Sequence, residues 1–312
     1  MTTWAFVFPG QGAQKVGMGR SLVENSRAAK EVFEEASDAL SLDMEKLCFE
    51  GPEETLRLTE NTQPAILTVS IAAYRAFCEE VDVTPAYLAG HSLGEYAALV
   101  AAGVFRFRDA VYAVKQRGKF MQEAVPVGEG AMAAVLGLPS ERVTEICEEA
   151  AEGEVVDPAN FNSPGQVVIS GHKGAVKRAG DLAKAAGAKK VIPLSVSAPF
   201  HSKLMRPAGE RLEGVLKRFE TGMMTIPVIA NVTAKPYDAE DDVIPMLVKQ
   251  VSSPVYWEQT MAVMKDLGVD RVVEMGPGKV LSGLFKRFDK AFAPVAIQTY
   301  DDIVKFREAM EG

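Results

Sequence analysis

Cysteine, histidine and long apolar runs are all scarce in this sequence of 312 residues. The three cysteines, Cys48, Cys78 and Cys147, are widely spaced and form no CxxC or His-flanked pattern, which argues against a disulfide framework or a zinc site. No uninterrupted apolar run reaches the roughly 18 residues that a membrane span needs, and strand-like residues follow Met1 directly. We therefore expect a cytoplasmic protein with no bound metal and no membrane contact.

An excess of basic residues is also absent. Lys and Arg together number 34 against 42 for Asp and Glu, so the formal net charge is −8. This balance argues against bulk binding of nucleic acid, and an acidic substrate would need a local cluster of Arg or Lys. The composition, 47% hydrophobic and 24% charged, is typical of globular proteins, and the length allows one large domain or two of ordinary size.

Strand and helix patterns alternate in the two outer parts of the chain. TWAFVFP at residues 3–9 predicts a buried strand, Ser21 to Leu40 a helix, and residues 86–89 a strand that leads into another helix. The same alternation returns after residue 198. It favours an α/β fold with a mainly parallel sheet that helices cover on both faces. We assign residues 1–125 and 198–312 to one discontinuous large domain.

The middle of the chain follows a different pattern. VPVGEG at residues 125–130 contains one proline and two glycines, which mark a boundary. Strand, helix, strand, strand, helix and strand then follow, and Ser140 is predicted to cap the first of these helices. This βαββαβ order matches the ferredoxin-like unit. We predict that residues 126–197 form such a domain, inserted into the large one.

Ser92, in GHSLG at residues 90–94, is the candidate nucleophile. The segment fits the GxSxG pattern and lies between a short apolar strand and a helix, which is the context that a nucleophile turn requires. Its glycines let the backbone and the helix approach closely, and the helix dipole favours negative charge at the hydroxyl. The alternative is a glycine-rich turn in which Ser92 only caps the helix.

A serine hydroxyl needs a base to take its proton, and the sequence has three histidines. The side chain of His91 should diverge from that of Ser92, and His172 lies in a GHKG turn of the predicted insertion. His201, in APFHS, comes where the chain re-enters the large domain, so elimination favours it as the base. An ordinary loop histidine is the alternative. No acidic residue stands out as a partner for the imidazole, and a backbone carbonyl could orient it instead.

Oxyanion stabilisation requires two donors aimed at the position of the tetrahedral oxygen. The backbone N–H of Leu93 is one candidate, because this residue follows the nucleophile. Gln11 is the other, since the glycines of PGQGAQ permit a close approach of the backbone after the first strand. A plain strand-ending turn is the alternative for Gln11.

Eight short motifs span nearly the whole chain: FPGQGAQ, GHSLGEYAAL, QRGKFMQ, NFNSPGQVVISG, VSAPFHS, ANVTA, LVKQVSSPVYW and EMGPGKVLSGL. In this order they resemble the motif set of the malonyl-CoA:acyl carrier protein transacylases. The resemblance implies an α/β-hydrolase-like domain with a ferredoxin-like insert. It also implies that Ser92 is acylated and His201 is its base, with Gln11 and Leu93 forming the oxyanion hole.

Three further site residues come from the resemblance alone. It implies Arg117 as the ligand of the free malonyl carboxylate, Gln250 as the residue whose backbone carbonyl orients His201, and Asn162 near the substrate. Without the resemblance, Arg117 would be interpreted as a solvated helix charge. The chemistry supports its implied role, because a planar guanidinium binds a carboxylate bidentately and a lysine does not.

The resemblance implies transfer of malonyl from malonyl-CoA to the phosphopantetheine thiol of acyl carrier protein, without a cofactor, for fatty acid or polyketide biosynthesis. A monomer is expected. The residues also allow a serine hydrolase such as an esterase, and a non-catalytic module that holds carrier protein. The sequence leaves open the strictness for malonyl over methylmalonyl or acetyl and the surface on which carrier protein docks.

Overall fold

The computed structural model describes residues 2–196 and 198–311. Within these ranges the chain forms nine strands in two separate sheets. The strands are β1 (Trp4–Phe8), β2 (Tyr87–Gly90), β3 (Gly130–Leu136), β4 (Val156–Ser163), β5 (Gln166–His172), β6 (Lys190–Pro193), β7 (Val228–Ile229), β8 (Arg271–Met275) and β9 (Val295–Ile297).

The helices of the described ranges are α1 (Arg20–Asn25), α2 (Arg27–Leu40), α3 (Met44–Glu50), α4 (Glu53–Arg57), α5 (Thr59–Glu80), α6 (Gly94–Ala101), α7 (Phe107–Glu123), α8 (Ser140–Ala151), α9 (Lys173–Ala185), α10 (Arg206–Leu216), α11 (Val243–Gln250), α12 (Trp257–Asp266), α13 (Val280–Phe288) and α14 (Tyr300–Glu311). Short 3-10 turns lie at Lys203–Met205, Glu240–Asp242 and Lys290–Phe292. None of the described helices is long and apolar enough to cross a membrane.

The larger sheet has five strands in the order β7-β2-β1-β8-β9, and every neighbouring pair is parallel. Phe6 packs into the core on one face of β1, and Val7 packs into a second core on the other. Burial on both faces is typical of a parallel sheet covered by helices. Phe8 pairs with Gly90, so β1 and β2 end at the same level. The predicted parallel sheet is confirmed, and the loops after these two strands meet at one edge.

The smaller sheet is antiparallel, with the order β4-β5-β3-β6. Its strands and helices follow the predicted βαββαβ order. Ala133 and Val135 of β3 face a small core beneath α8 and α9, whereas Met132 and Ala134 face the core of the large sheet. The two sheets support our proposal of an inserted domain. Its limits stay a prediction, and Ser197, at its predicted end, lies outside the described residues.

Two local predictions were wrong for reasons of capping. The predicted helix from Ser21 to Leu40 is broken at Ser26, which is extended and whose Oγ accepts from the backbone N–H of Ala29 at 3.1 Å. A serine that caps a following helix has an extended backbone, so it cannot also continue the preceding helix.

Ser140 makes no capping bond, since Pro139 occupies the N-cap position and Ser140 is already the first helical residue.

Candidate active site

The backbone at Ser92 forms the sharp turn that its sequence predicts. Ser92 has φ 51°, a left-handed conformation that costs energy for a residue other than glycine. A Cβ at Gly90 would lie 1.9 Å from the backbone carbon of Gly94, and a Cβ at Gly94 would lie 2.1 Å from the carbonyl oxygen of Phe8. Only glycine therefore fits on either side of Ser92, and the turn brings α6 directly against β1.

Asn231, which follows the neighbouring strand β7, makes two hydrogen bonds to the backbone of this turn. Its Oδ1 accepts from the backbone N–H of Ser92 at 2.7 Å, and its Nδ2 donates to the carbonyl oxygen of Gly90 at 2.7 Å. The Asn231 side chain is fully buried, which strengthens these hydrogen bonds. A side chain 139 residues away thus helps to hold the strained conformation of Ser92.

The structure brings Ser92 and His201 together. Ser92 Oγ lies 2.7 Å from His201 Nε2, and His201 Nδ1 lies 2.9 Å from the carbonyl oxygen of Gln250 and 3.2 Å from that of Ser253. Carbonyl oxygens only accept, so Nδ1 carries the proton and Nε2 accepts from the serine hydroxyl. The imidazole is oriented by backbone oxygens, one of them at the predicted residue Gln250.

Burial keeps this imidazole neutral. His201 is 4% exposed, and the loss of solvation lowers its pKa to about 3, an effect that the nearby Arg117 cation strengthens. At neutral pH the Nε2 lone pair is therefore free to receive the proton of Ser92. The roles of nucleophile and base stay predictions, but the geometry that they require is present.

Arg117 of α7 is not the solvated charge that its position in the sequence suggests. It is 2% exposed, and its Nη2 donates to Ser92 Oγ at 3.1 Å and to Gln250 Oε1 at 2.9 Å, while its Nη1 donates to Gln63 Oε1 at 2.8 Å. Within the described residues no carboxylate bonds to it directly. Burial lowers the pKa of its guanidinium. A buried cation with neutral partners is suited to bind an anionic group of a substrate.

A cavity of about 120 Å³ opens at Ser92. Gln11 and Leu93, the predicted oxyanion residues, both line it, and Gln11 also donates from Nε2 to Thr59 Oγ1 at 3.4 Å. That their backbone N–H groups form an oxyanion hole stays a prediction. The remaining wall is polar at Gln63, His91, Arg117, Asn160 and His201 and apolar at Met121, Met132, Leu194, Val196 and Phe200.

A larger cleft of about 620 Å³ lies elsewhere, beside α8 and β4. Cys147, Asp157, Lys203 and Tyr256 are among the residues around it, and Ser92 is not. The volume of a cavity alone would therefore select a site that does not include Ser92 and His201. We place the candidate active site in the smaller cavity, because the Ser92 hydroxyl contacts both a neutral imidazole and a buried cation there.

Asn162 lies beside the site but contacts His91. Its Oδ1 is 2.8 Å from His91 Nε2, so it orients that imidazole. Asn160, two residues earlier on β4, lines the cavity. A substrate contact by Asn162 stays a prediction. Within the described ranges, no group of three or more His, Cys, Asp and Glu side chains is arranged to hold a metal.

Sequence reasoning missed a buried polar cluster behind the site. Glu95 of α6 is 1% exposed and accepts from Gln250 Nε2 at 2.6 Å, from the backbone N–H of Asn231 at 3.2 Å and from the Tyr237 hydroxyl. Burial raises the pKa of Glu95 to about 7, although these bonds and Arg117 oppose the shift. One signal was available: Glu95 is the only charged residue in the otherwise apolar GEYAALVA helix.

Known proteins resemble this chain over nearly its full length. The profile of the acyl transferase domain family matches residues 5–294. The malonyl CoA-acyl carrier protein transacylase of Escherichia coli K12 is 52% identical over 287 residues, which are 92% of this chain and 93% of that protein.

Solved structures extend the likeness to three dimensions. The malonyl CoA-acyl carrier protein transacylase of Coxiella burnetii superposes with a TM-score of 0.96 at 43% identity, covering 98% of this chain and 97% of the other. A malonyl-transacylase in complex with a type II PKS acyl-carrier protein superposes with a TM-score of 0.96 at 45% identity, covering 99% and 100%. The chain therefore belongs to the acyl transferase domain family and, within it, to the malonyl CoA-acyl carrier protein transacylases.

Proposed function

We propose that this chain transfers malonyl from malonyl-CoA to the phosphopantetheine thiol of acyl carrier protein through a malonyl ester on Ser92. One observation carries the proposal: Ser92 Oγ lies 2.7 Å from a neutral imidazole and 3.1 Å from a buried guanidinium. The first contact supplies a base and the second supplies a site for the malonyl carboxylate. The substrates suffice without a further cofactor, and we place the reaction in the cytoplasm.

In the first half-reaction His201 Nε2 takes the proton of Ser92 as Oγ attacks the thioester carbonyl of malonyl-CoA. The backbone N–H groups of Gln11 and Leu93 receive the oxyanion. When the intermediate collapses, the C–S bond breaks and the leaving thiolate takes the proton from His201 as coenzyme A. Malonyl remains on Ser92 as an ester, and no oxidant or reductant is consumed.

In the second half-reaction the phosphopantetheine thiol enters the same cavity. His201 takes its proton, the sulfur attacks the ester carbonyl, and the C–O bond to Ser92 breaks. The Ser92 alkoxide recovers the proton from His201, which returns the enzyme to its starting state. The malonyl thioester of carrier protein then supplies fatty acid or polyketide synthesis.

Arg117 binds the free carboxylate of the malonyl group. Before loading, one of its Nη2 donors bonds to Ser92 Oγ. Acylation turns this oxygen into an ester oxygen, a poorer acceptor, so the donor becomes available to the carboxylate. A guanidinium can meet that carboxylate with two parallel bonds, which favours malonyl over acyl groups that lack a charge.

Trapping of the acyl-enzyme tests this function. Incubation with radiolabelled malonyl-CoA should leave one label per chain on Ser92, and the Ser92→Ala variant should accept none, because it lacks the hydroxyl that lies against His201 Nε2. Peptide mapping locates the label. A label that persists in the Ser92→Ala variant contradicts the proposed site.

Addition of carrier protein separates transfer from hydrolysis. The labelled enzyme should lose its malonyl group to holo carrier protein far faster than to water. A serine hydrolase would release malonate at the same rate with and without carrier protein, and that result would contradict the transferase assignment.

A further inference from the structure

Gln250, at the end of α11, contacts Ser92, His201 and Arg117. Its carbonyl oxygen accepts from His201 Nδ1 at 2.9 Å, its Nε2 donates to the carbonyl oxygen of Ser92 at 3.0 Å, and its Oε1 accepts from Arg117 Nη2 at 2.9 Å. The side chain is fully buried. Any change in its orientation is therefore transmitted to Arg117.

The direction of the Gln250 amide matters for Arg117. If the amide were turned by 180°, its NH₂ group would face the guanidinium. Two donors would then meet, and Arg117 would lose the Gln250 oxygen as an acceptor. The amide oxygen and nitrogen are distinguished by their hydrogen-bond partners. Glu95 provides the decisive partner, because its Oε2 lies 2.6 Å from Gln250 Nε2 and also accepts from the backbone N–H of Asn231, so this oxygen serves as an acceptor.

Glu95 is itself held in place on the side away from the substrate. Asn231 donates its backbone N–H to Oε2, and the Tyr237 hydroxyl donates to Oε1. In the described part of the chain, neither Glu95 nor Tyr237 is among the residues around the active-site cavity. Glu95 is therefore placed to act on the acyl group from outside the cavity, through Gln250, through the turn at Ser92 and through its electrostatic interaction with Arg117.

We propose that Glu95 is a positioning residue that sets the preference for a carboxylate-bearing acyl group, by holding the Gln250 amide with its oxygen toward Arg117. This inference rests on the proposed function, in which Arg117 binds the malonyl carboxylate. It adds a specificity determinant outside the cavity. The preference for malonyl depends on a chain of three side chains, Glu95, Gln250 and Arg117, of which only the last meets the substrate.

Acetyl-CoA supplies the internal reference for a test. An acetyl group reacts through the same Ser92 and His201 but offers no carboxylate to Arg117. A variant that only loosens the fold or the turn lowers the rates for both donors. A variant that misplaces Arg117 lowers the ratio of kcat/KM for malonyl-CoA to that for acetyl-CoA.

Two substitutions of equal length separate the acceptor from the rest of the Glu95 side chain. Glu95→Met removes the acceptor, and we expect the malonyl-to-acetyl ratio to fall about tenfold or more, the range found for residues within one hydrogen-bond network. Glu95→Gln keeps an oxygen for Gln250 and should hold the ratio within about threefold of wild type. Glu274→Gln, the matched control, neutralises another buried carboxylate, which bonds to the start of α13 and not to Gln250, and should leave the ratio unchanged.

A double-mutant cycle shows whether Glu95 acts through Arg117. In an Arg117→Ala background, Glu95→Met should produce no further fall in the ratio. The inference is overturned if Glu95→Met keeps the wild-type ratio, if Glu95→Gln loses as much as Glu95→Met, or if the loss persists without Arg117. If Glu95→Met shows no cooperative thermal transition, Gln250→Met takes its place and should lower the ratio equally.

The wild-type enzyme keeps this test distinct from that of the function itself. If wild-type Ser92 takes no label from malonyl-CoA, the proposed function fails. If wild-type enzyme is labelled and prefers malonyl, but the Glu95→Met ratio is unchanged, only the role of Glu95 fails.

Discussion

The two ends of the active-site cavity are built from different chemistry. At the reacting end, Ser92 meets a neutral His201 that backbone carbonyls orient. At the binding end, the Arg117 cation is held by the side-chain oxygens of Gln63 and Gln250. Among the described residues, neither end has a carboxylate in direct contact. In the proposed mechanism a neutral base carries out the proton transfer, and a cation with no bonded carboxylate among the described residues selects the acyl group.

In the described residues the imidazole has no acidic partner, because His201 Nδ1 bonds to the carbonyl oxygens of Gln250 and Ser253 instead. A carboxylate in direct contact with Arg117 would compete with the carboxylate of the substrate. Backbone carbonyls orient His201 without a full negative charge, which leaves Arg117 available.

The largest effect is expected at the reacting end. His201→Asn keeps a residue that tolerates the left-handed φ of 59° but removes the base. We expect kcat/KM to fall about 10³-fold or more for malonyl-CoA and acetyl-CoA alike. Steady-state kinetics with both donors measures this, with circular dichroism as the control for folding. A fall in kcat/KM for malonyl-CoA alone would contradict the assignment of proton transfer to one end of the cavity and acyl selection to the other.

A smaller and selective effect is expected at the binding end. Arg117→Ala should lower kcat/KM for malonyl-CoA by about 30-fold or more, because loss of a buried charge partner typically costs about 2–5 kcal/mol. The value of kcat/KM for acetyl-CoA should fall far less. Arg117→Lys, the matched control, keeps the charge without the bidentate geometry, so its kcat/KM for malonyl-CoA should lie between those of wild type and Arg117→Ala. Equal losses for both donors would remove the carboxylate-binding role.

The smallest effect concerns stability and pH. Folded His201 is neutral down to about pH 3, whereas an unfolded histidine gains its proton near pH 6.5. The unfolded chain therefore binds one more proton in this window, and stability falls as pH falls. Relative to His201→Asn, wild type should lose about 1.4 kcal/mol of unfolding free energy per pH unit between pH 6 and 4.

Urea unfolding at several pH values checks this slope. Ser92→Ala serves as the control, because it removes the hydroxyl partner and leaves the buried imidazole, so its slope should match that of wild type. Identical slopes for wild type and His201→Asn would mean that His201 becomes charged in the folded protein.

Local pattern was enough for the parts of the site that lie close together in the chain. The turn at Ser92 follows from the GxSxG pattern between a strand and a helix, in which a Cβ at Gly90 would clash with Gly94 four residues later. The parallel sheet and the βαββαβ insertion follow from the order of strands and helices. The break at Ser26 was not predicted and the cap predicted at Ser140 lies at Pro139, because several residues near a helix start compete for one position.

The polar support of the site could not be predicted in the same way. Glu95, Asn231 and Tyr237 meet across more than 130 residues of chain, and no local pattern encodes which donor reaches which acceptor. Arg117 illustrates the same limit, because its helix position suggests a solvated charge and burial makes it part of the site. Its role came from resemblance rather than from its own sequence context.

The sequence by itself determined the nucleophile turn, the α/β architecture and the small set of candidate bases, because these depend on short-range sterics and on hydrophobic periodicity. The tertiary structure decided which histidine faces Ser92, that backbone oxygens orient it, and that Arg117 is buried beside it without a carboxylate. Those outcomes depend on distances between remote segments and on their removal from water. Both arise only when the chain folds and the loops that follow the parallel strands come together.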